Sequence, residues 1–184
     1  MKIIFVRHGE TKEGKKGIIL GSLGGNLTVK GKQEAKRITS ELIGKKILPD
    51  IIITSSLKRA FNTAQLISKI IKVPIVIEPL IRERSAGIAE GKRESEIDWE
   101  AYERKSLVHR KHTGGESFLE VYKRAKKFVQ KIKKQKDKQT ILVVSHNVFI
   151  LMCIAVLKET SIEYILKHKP KGLLTTIGIK KIRA

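Results

Sequence analysis

The sequence predicts an α/β protein of three layers, an αβα sandwich in which helices cover both faces of a mostly parallel sheet. Two observations lead to this fold class. Short runs of β-branched residues alternate with segments whose apolar residues recur at the 3.6-residue period of a helix. The short runs are also continuously apolar, which is typical of parallel strands that are buried on both faces.

Four apolar runs are predicted to be parallel strands, and a fifth run completes the sheet. The four are Lys2–Val6, Asp50–Thr54, Pro74–Ile77 and Thr140–Ser145. Leu173–Ile182 is predicted to be the last strand, and its lysines favour a position at the edge of the sheet, because charged side chains are typical of edge strands.

Apolar stripes at helical spacing predict three amphipathic helices and one buried helix between these strands. The first stripe lies within Ala35–Ile43, the second within Leu57–Ile71 and the third within Phe118–Ile132. Val148–Leu157 is apolar nearly all round, so it is predicted to be buried on every side. Together with the strands, these helices account for most of the chain.

All 184 residues, 1–184, are predicted to form a single domain, because no internal repeat or low-complexity linker divides the chain. Residues 85–115 interrupt the alternation with four glycines, many charges and weak helical character around Glu94–Lys105. We interpret them as a small lid or substrate lobe. Its aromatic and basic side chains either line a leaving-group pocket or pack the lobe against the sheet; they are Trp99, Tyr102, Arg104, His109, Arg110 and His112.

The composition limits the classes of function. Lys and Arg number 39 against 18 Asp and Glu, which gives a formal net charge of +21. Such a charge attracts phosphorylated small molecules and polyanions. A lysine-rich solvated surface explains the charge equally well, and the lysines of the third helix favour this interpretation, so nucleic acid is not expected as a partner. A homodimer is left open.

Two further classes are excluded by the sequence. The single cysteine, Cys153, allows neither an intramolecular disulfide nor a four-cysteine zinc site. No apolar run approaches the roughly 20 residues of a membrane span. The apolar stretch before Arg7 is too short for a signal peptide. We therefore expect a cytoplasmic protein that does not bind membranes.

Each predicted parallel strand is followed by a side chain suited to chemistry on an anion. His8 follows the first strand, Arg59 lies one helical turn past the second, Glu83 comes after the third and His146 after the fourth. Ligands of open α/β sheets bind outside the carboxyl ends of the strands, so these side chains are expected to converge. Taken singly, Arg59 and Glu83 are equally well explained as surface residues.

The two histidines admit two interpretations. As metal ligands, His8 and His146 would need a third ligand and carboxylate or histidine partners around them. Anion binding is the better account, because Arg7 supplies a bidentate fork and the helix beginning near Val148 directs N–H groups toward the same edge. Gly9, directly after the first histidine, lets the backbone approach a ligand closely.

In their combination and order, these residues resemble the motifs of the histidine phosphatase superfamily, also called the phosphoglycerate mutase-like family. The hallmark Arg-His-Gly-Glu-Thr stands at Arg7–Thr11. Supporting matches follow in the family's order across nearly the whole chain: Leu27-Thr28-x-x-Gly31, Ser55-Ser56-Leu57-x-Arg59-Ala60-x-x-Thr63-Ala64, Leu80-x-x-Glu83-x-x-x-Gly87-x-x-Glu90-Gly91, Gly115-Glu116-Ser117 and Val143-Val144-Ser145-His146.

The resemblance implies a phosphoglycerate mutase-like fold and a histidine acid-type phosphatase, which hydrolyses a small phosphorylated substrate without metal or cofactor. His8 would attack the phosphorus and become a phosphohistidine, while a nearby backbone acceptor holds its other ring N–H. Arg7, Arg59 and His146 would surround the transferring oxygens. Glu83 would protonate the leaving oxygen and then take a proton from the attacking water.

The chain departs from the family's pattern at several positions. Asn147 stands where many members have glycine; its backbone N–H can still serve, and it joins Thr11 among the phosphate-binding candidates. Gly14 replaces a phosphate-contacting asparagine of the mutases. The stretch between Glu83 and His146 is shorter than in the mutases. This favours a phosphatase; the alternatives are a cofactor-dependent phosphoglycerate mutase and a catalytically retired, basic binding protein.

The start of the third helix lies beside these motifs. Glu116 and Ser117 are placed at the edge of the site. A capping box of Ser117 and Glu120 explains the serine equally well, because each side chain would accept the other's backbone N–H.

Overall fold

The computed structural model describes residues 1–134, 139–170 and 174–178 of the chain. Within these residues, α-helices and strands alternate, with short 3-10 turns in the loops. In chain order the elements are β1 (Lys2–Arg7), α1 (Lys12–Lys15), α2 (Val29–Gly44), β2 (Ile51–Thr54), α3 (Lys58–Ile71), β3 (Ile75–Ile77), α4 (Trp99–Glu103), α5 (Phe118–Lys133), β4 (Thr140–Ser145), α6 (Asn147–Leu157), α7 (Ile162–Lys167) and β5 (Leu174–Gly178).

The five strands form one sheet in the order β3-β2-β4-β1-β5. The first four are parallel to one another, whereas β5 runs antiparallel to β1 at the edge. β1 and β4 pair in register, from Lys2 opposite Thr140 to Arg7 opposite Ser145. The two histidines that follow these strands therefore leave the sheet side by side, and the predicted mostly parallel sheet is confirmed.

Apolar side chains point to both faces of the sheet, which is why its strands appear in the sequence as unbroken apolar runs. Along β1, Ile3 and Phe5 pack against α5, α6 and α7, whereas Ile4 and Val6 pack against α2 and α3. All four side chains are fully buried, and each stabilises the fold by about 1.5–3 kcal/mol. The predicted three-layer αβα architecture is confirmed.

Most differences from the predicted elements concern short segments. The described part of the last strand is β5, and the rest of the predicted Leu173–Ile182 lies outside the described residues. The weak helical character at Glu94–Lys105 corresponds to a 3-10 turn, Glu94–Glu96, followed by α4. The short helices α1 and α7 were not predicted, because four and six residues are too few to establish a helical period.

The predicted capping box at the start of α5 is present. The Glu120 N–H donates to Ser117 Oγ at 3.2 Å, and the Glu120 carboxylate accepts the Ser117 N–H at 2.7 Å. These two bonds satisfy backbone donors that the first turn of a helix leaves free. The start of α5 is thereby fixed beside the carboxyl edge of the sheet.

Residues 85–115 form a lobe of 3-10 turns around α4. The lobe is closed at Gly87, whose φ is +53° and where an added Cβ would lie 2.1 Å from the carbonyl oxygen of Thr113. Only glycine fits this crossing. Whether the lobe acts as a lid stays a prediction. No helix in the described residues is long and apolar enough to cross a membrane.

Candidate active site

The carboxyl edge of the parallel sheet brings the predicted site residues together. A cavity of about 370 Å³ opens there. Six of the seven predicted residues line it: Arg7, His8, Thr11, Arg59, Glu83 and Asn147. The seventh, His146, is fully buried beside the cavity, with its ring centroid 5.1 Å from that of His8. The convergence expected from the strand ends is therefore observed.

His8 presents an unprotonated ring nitrogen. Its Nδ1 lies 2.8 Å from the carbonyl oxygen of Gly9, and because a carbonyl only accepts, Nδ1 carries the ring proton. The Nε2 atom accepts a hydrogen bond from Nε of Arg59 at 3.1 Å. Both contacts fix the tautomer that leaves the lone pair on Nε2. A metal ion is a poor partner for this atom, since a guanidinium cation already faces it.

The pKa of His8 suits a nucleophile. It is lowered from 6.5 to about 3, first by burial and then by the positive charges of Arg59 and, more weakly, Arg7. The hydrogen bond to the Gly9 carbonyl acts in the opposite direction. The imidazole is therefore neutral at physiological pH, and a neutral ring is the form that can attack phosphorus.

We expect the His8 ring of the free protein not to titrate between about pH 8 and pH 4.5. A histidine with the ordinary pKa of about 6.5 is almost fully protonated at the lower value. Long-range ¹H–¹⁵N NMR of protein labelled in its histidine rings measures this directly, with His8 assigned by comparison with a His8→Asn variant. The same protein unfolded in urea is the control. A His8 midpoint above pH 5 in the folded protein would contradict the prediction.

Glycine is required at position 9 because two backbone segments come close together there. An added Cβ at Gly9 would lie 2.3 Å from the carbonyl oxygen of Gly31, in the first turn of α2. The close approach that is observed joins two backbone segments, and the approach of a ligand to this glycine stays a prediction. The Gly9 N–H donates to the hydroxyl of Thr63 at 3.2 Å, which ties the nucleophile's loop to α3.

Arg59 has a larger role than the sequence predicted. Its side chain is buried, and its guanidinium donates to three backbone carbonyls besides Nε2 of His8. Nη2 lies 2.8 Å from the Gly21 oxygen, and Nη1 donates to the oxygens of Leu23 and Gly24. Arg59 therefore holds both the nucleophile and the loop that forms one wall of the cavity. Burial lowers its pKa, yet arginine stays charged in proteins.

His146 is the buried partner of His8. Its Nε2 lies 2.9 Å from the hydroxyl oxygen of Ser55, whereas its Nδ1 is buried with no hydrogen-bond partner among the described residues. Burial, followed by the charge of Arg59, lowers its pKa well below the ordinary value, so the ring is neutral. A buried polar atom without a partner costs about 1–3 kcal/mol. An oxyanion bound beside His8 could satisfy it.

Arg7 and Glu83 both line the cavity beside His8. The Arg7 side chain is exposed and makes no hydrogen bond within the described part of the chain, so its fork is available to an anion. The Glu83 carboxylate accepts the N–H of Arg84 at 2.9 Å and lies 3.5 Å from the N–H of Val148 at the start of α6. Glu83 is thus aimed at the same helix end as the anion site.

Thr11 and Asn147 line the cavity by different means. Thr11 caps α1, because its hydroxyl oxygen accepts the N–H of Gly14 at 3.1 Å. Asn147 is the first residue of α6, where backbone N–H groups are free to bind an anion. Both residues lie where the sequence placed them, and their contact with phosphate stays a prediction.

The aromatic lobe side chains are not among the residues that line the cavity, and the contacts observed for them are with one another rather than with the sheet. Trp99, Tyr102 and His112 form one cluster, in which the last two rings are stacked with centroids 4.6 Å apart. Arg104 and Arg110 pair with glutamates of α4 at 3.7 and 3.5 Å. The lobe residues that line the cavity are Ala86 and Glu94, and Arg84, directly before the lobe, lines it as well. None of the three belongs to a motif that could have identified it in the sequence.

Arg124 is a site residue that the sequence did not predict. From α5 it donates to the carbonyls of Leu80, Arg82 and Glu83 at 2.8, 2.8 and 3.1 Å. It also forms a bidentate pair with Glu116, with both N–O distances 2.9 Å. Glu116 therefore acts at the edge of the site by holding Arg124, which in turn holds the Glu83 segment.

These contacts define a class of protein: an α/β fold whose sheet edge holds a neutral histidine, with its lone pair on Nε2, beside cationic groups suited to a tetrahedral oxyanion. A family model agrees with this class. The description "Histidine phosphatase superfamily (branch 1)" belongs to the model that matches residues 3–180. The chain belongs to the histidine phosphatase superfamily, branch 1.

Curated relatives and solved structures agree with this membership. The chain is 34% identical over 154 residues to phosphoserine phosphatase 1 of Hydrogenobacter thermophilus, covering 80% of this chain and 72% of the relative. It is 30% identical over 160 residues to the adenosylcobalamin/alpha-ribazole phosphatase of Escherichia coli, covering 84% and 78%. The structure of the alpha-ribazole phosphatase from Shigella flexneri superposes with a TM-score of 0.86 at 27% identity, covering 98% and 92%.

Proposed function

We propose that the protein is a metal-independent phosphomonoester hydrolase that acts through a phosphohistidine formed on His8. One observation supports this above all others. The Gly9 carbonyl holds the ring proton of His8 on Nδ1, so the lone pair is on Nε2, which contacts the Arg59 guanidinium beside the cavity. Splitting the transfer into two displacements lowers the demand on each nucleophile. No side chain in this scheme has to bind a metal ion.

In the first displacement, the hydrogen bond from Arg59 Nε to Nε2 of His8 is released, Nε2 attacks the phosphorus with the freed lone pair, and the bond between phosphorus and the ester oxygen breaks. Glu83 donates its proton to the leaving oxygen, so the alcohol departs neutral. Arg7, Arg59 and Nδ1 of His146 stabilise the negative charge on the three remaining oxygens. The product of this step is a phosphohistidine at His8 and a Glu83 carboxylate.

In the second displacement, water attacks the phosphorus from the side that the alcohol has left. Glu83 takes the proton of this water, the bond between phosphorus and His8 breaks, and inorganic phosphate leaves. His8 returns to its neutral form and Glu83 to its protonated form, so the cycle closes. The same cationic groups serve both steps, because both pass through the same arrangement of phosphoryl oxygens.

The proposed substrate is a small phosphorylated metabolite of the cytoplasm. The cavity volume suits a compact leaving group, and besides Arg7, Arg59 and Glu83 its walls carry the cation Arg84 and the anion Glu94. Relatives are named for phosphoserine and for alpha-ribazole phosphate. The acid-type assignment rests on the low pKa of His8, because the nucleophile stays neutral into the acidic range.

A panel of phosphomonoesters tests the proposal. Phosphoserine, alpha-ribazole phosphate, 3-phosphoglycerate and p-nitrophenyl phosphate are each incubated with the protein in EDTA, and released phosphate is measured. We expect hydrolysis of at least one ester at a rate that EDTA does not change, because protein cations replace a metal in the transition state. Activity that requires an added metal would contradict the proposal.

Two other outcomes would favour the alternatives. Transfer from 2,3-bisphosphoglycerate to monophosphoglycerate faster than to water would identify a mutase. Salt-dependent binding of nucleic acid without any phosphatase activity would identify a basic binding protein. Gel filtration of the same sample tests the homodimer.

A further inference from the structure

The neutral ring of His146 carries a single proton, and the nitrogen that holds it decides what the ring can do. If Nδ1 holds the proton, the buried and unpartnered atom is a donor and can bind a phosphoryl oxygen. If Nε2 holds it, Nδ1 presents a lone pair and repels the same oxygen. The contacts of Ser55 distinguish between these two tautomers.

Ser55 is fully buried and follows β2 directly, three residues before the first residue of α3. Its backbone N–H donates to the carbonyl of Val144 at 3.1 Å, which fixes it against β4 just before His146. Its hydroxyl oxygen accepts the N–H of Leu57 at 3.2 Å. The side chain therefore has a fixed position and one hydrogen left to donate.

In the described part of the chain, the acceptor within reach of that hydrogen is Nε2 of His146, at 2.9 Å. With the hydroxyl donating to Nε2, the Leu57 N–H, the Ser55 hydroxyl and Nε2 are all satisfied, the ring proton must sit on Nδ1, and the Nδ1–H is left without a partner among the described residues. In the opposite tautomer, both the hydroxyl hydrogen of Ser55 and the Nδ1 lone pair would lack a partner, so one more buried polar group is unsatisfied, at a cost of about 1–3 kcal/mol.

We propose that Ser55 is a positioning residue of the phosphoryl-transfer site, which donates its hydroxyl hydrogen to Nε2 of His146 and so places the ring proton on Nδ1 for the phosphoryl oxygens. The inference rests on the proposed function, because it assigns Nδ1 a phosphoryl oxygen as its partner. The contact between Ser55 and His146 then has a functional role, because the serine hydroxyl decides which ring nitrogen of His146 can donate a hydrogen bond.

The first test measures the tautomer itself. Long-range ¹H–¹⁵N NMR of wild-type protein labelled in its histidine rings, with and without inorganic phosphate, identifies the protonated nitrogen of His146. We expect the Nδ1–H tautomer in both samples and a shift of the Nδ1 signals when phosphate is added. The Nε2–H tautomer would overturn the inference whether or not the protein hydrolyses any ester.

The second test compares Ser55→Ala with Ser56→Ala, a matched change at the exposed neighbouring serine. Ser55→Ala is expected to lower kcat by about 10- to 100-fold with little change in KM, since the ring then divides its proton between both nitrogens. Ser55→Thr keeps the hydroxyl and is expected to retain activity. Ser56→Ala should match the wild type.

The outcomes separate the two proposals. If the wild type hydrolyses esters and Ser55→Ala keeps both the wild-type tautomer and kcat, the role of Ser55 is overturned and the proposed function stands. If the wild type hydrolyses none, the proposed function fails, and the tautomer with bound phosphate still decides the role of Ser55. Should Ser55→Ala fail to fold, the tautomer in the wild-type spectrum and the activity of Ser55→Thr test the role of Ser55 instead.

Discussion

His8→Asn is expected to lower kcat by about 10⁴-fold or more, the scale seen when an enzyme loses its nucleophile. Asparagine is close in size to histidine and keeps a polar group for the Gly9 carbonyl, but its amide nitrogen has no lone pair available for attack on phosphorus. The loss is measured as phosphate release from p-nitrophenyl phosphate. His109→Asn, at an exposed histidine in the lobe, is the matched control and should behave as wild type.

The covalent step gives the same prediction a second readout. Wild-type protein mixed with a ³²P-labelled ester and quenched in alkali should carry label, because a phosphohistidine survives alkali and is lost in acid. His8→Asn should carry none. Label that persists in the variant, or hydrolysis above about 1% of the wild-type rate, would show that another residue is the nucleophile.

The residues of the site that could be predicted from the sequence are those whose position follows from topology. His8 and His146 each come directly after an apolar run, and a parallel sheet places all such positions at one edge. The in-register pairing of β1 with β4 then brings the two rings to 5.1 Å. No side-chain detail is needed for this inference, so motif and strand prediction suffice.

Residues whose role depends on the orientation of a side chain could not be predicted from the sequence in this way. Ser55 contacts His146 across 91 positions of sequence, and the role proposed for it depends on the direction of its hydroxyl group, which the sequence does not show. Arg124 lies three residues after Val121, at the border of the apolar face of α5, where an arginine usually reaches solvent. Only the structure shows that the Arg124 guanidinium donates to three backbone carbonyls, those of Leu80, Arg82 and Glu83.

The lobe was the least predictable part for a related reason. Its turns have neither the period of a helix nor that of a strand, so which side chains face the cavity depends on how the loop folds back on itself. In the folded lobe Ala86 and Glu94 line the cavity, whereas Trp99 and Tyr102 pack against His112. The aromatic residues drew attention in the sequence, whereas the cavity wall consists of ordinary charged residues.

Arg59→Met is expected to lower kcat/KM by about 10³-fold and to destabilise the fold. The change removes a transition-state cation, which is worth two to three orders of magnitude in comparable sites. It also leaves the carbonyls of Gly21, Leu23 and Gly24 without their donor, and hydrogen bonds to a charged group stabilise by about 1.5–3 kcal/mol each. Arg37→Met, at an exposed arginine of α2, is the matched control.

Three measurements separate these effects of Arg59. Thermal melting reports the stability, and trypsin cleavage after Lys15 and Lys16 reports release of the adjacent loop. The third is the pH dependence of kcat/KM: the charge of Arg59 helps to hold the pKa of His8 low, so without it the nucleophile becomes protonated at higher pH. The deficit of Arg59→Met should therefore be larger at pH 5 than at pH 8. An equal deficit at both values, with unchanged trypsin cleavage, would mean that Arg59 neither tunes the nucleophile nor holds the loop.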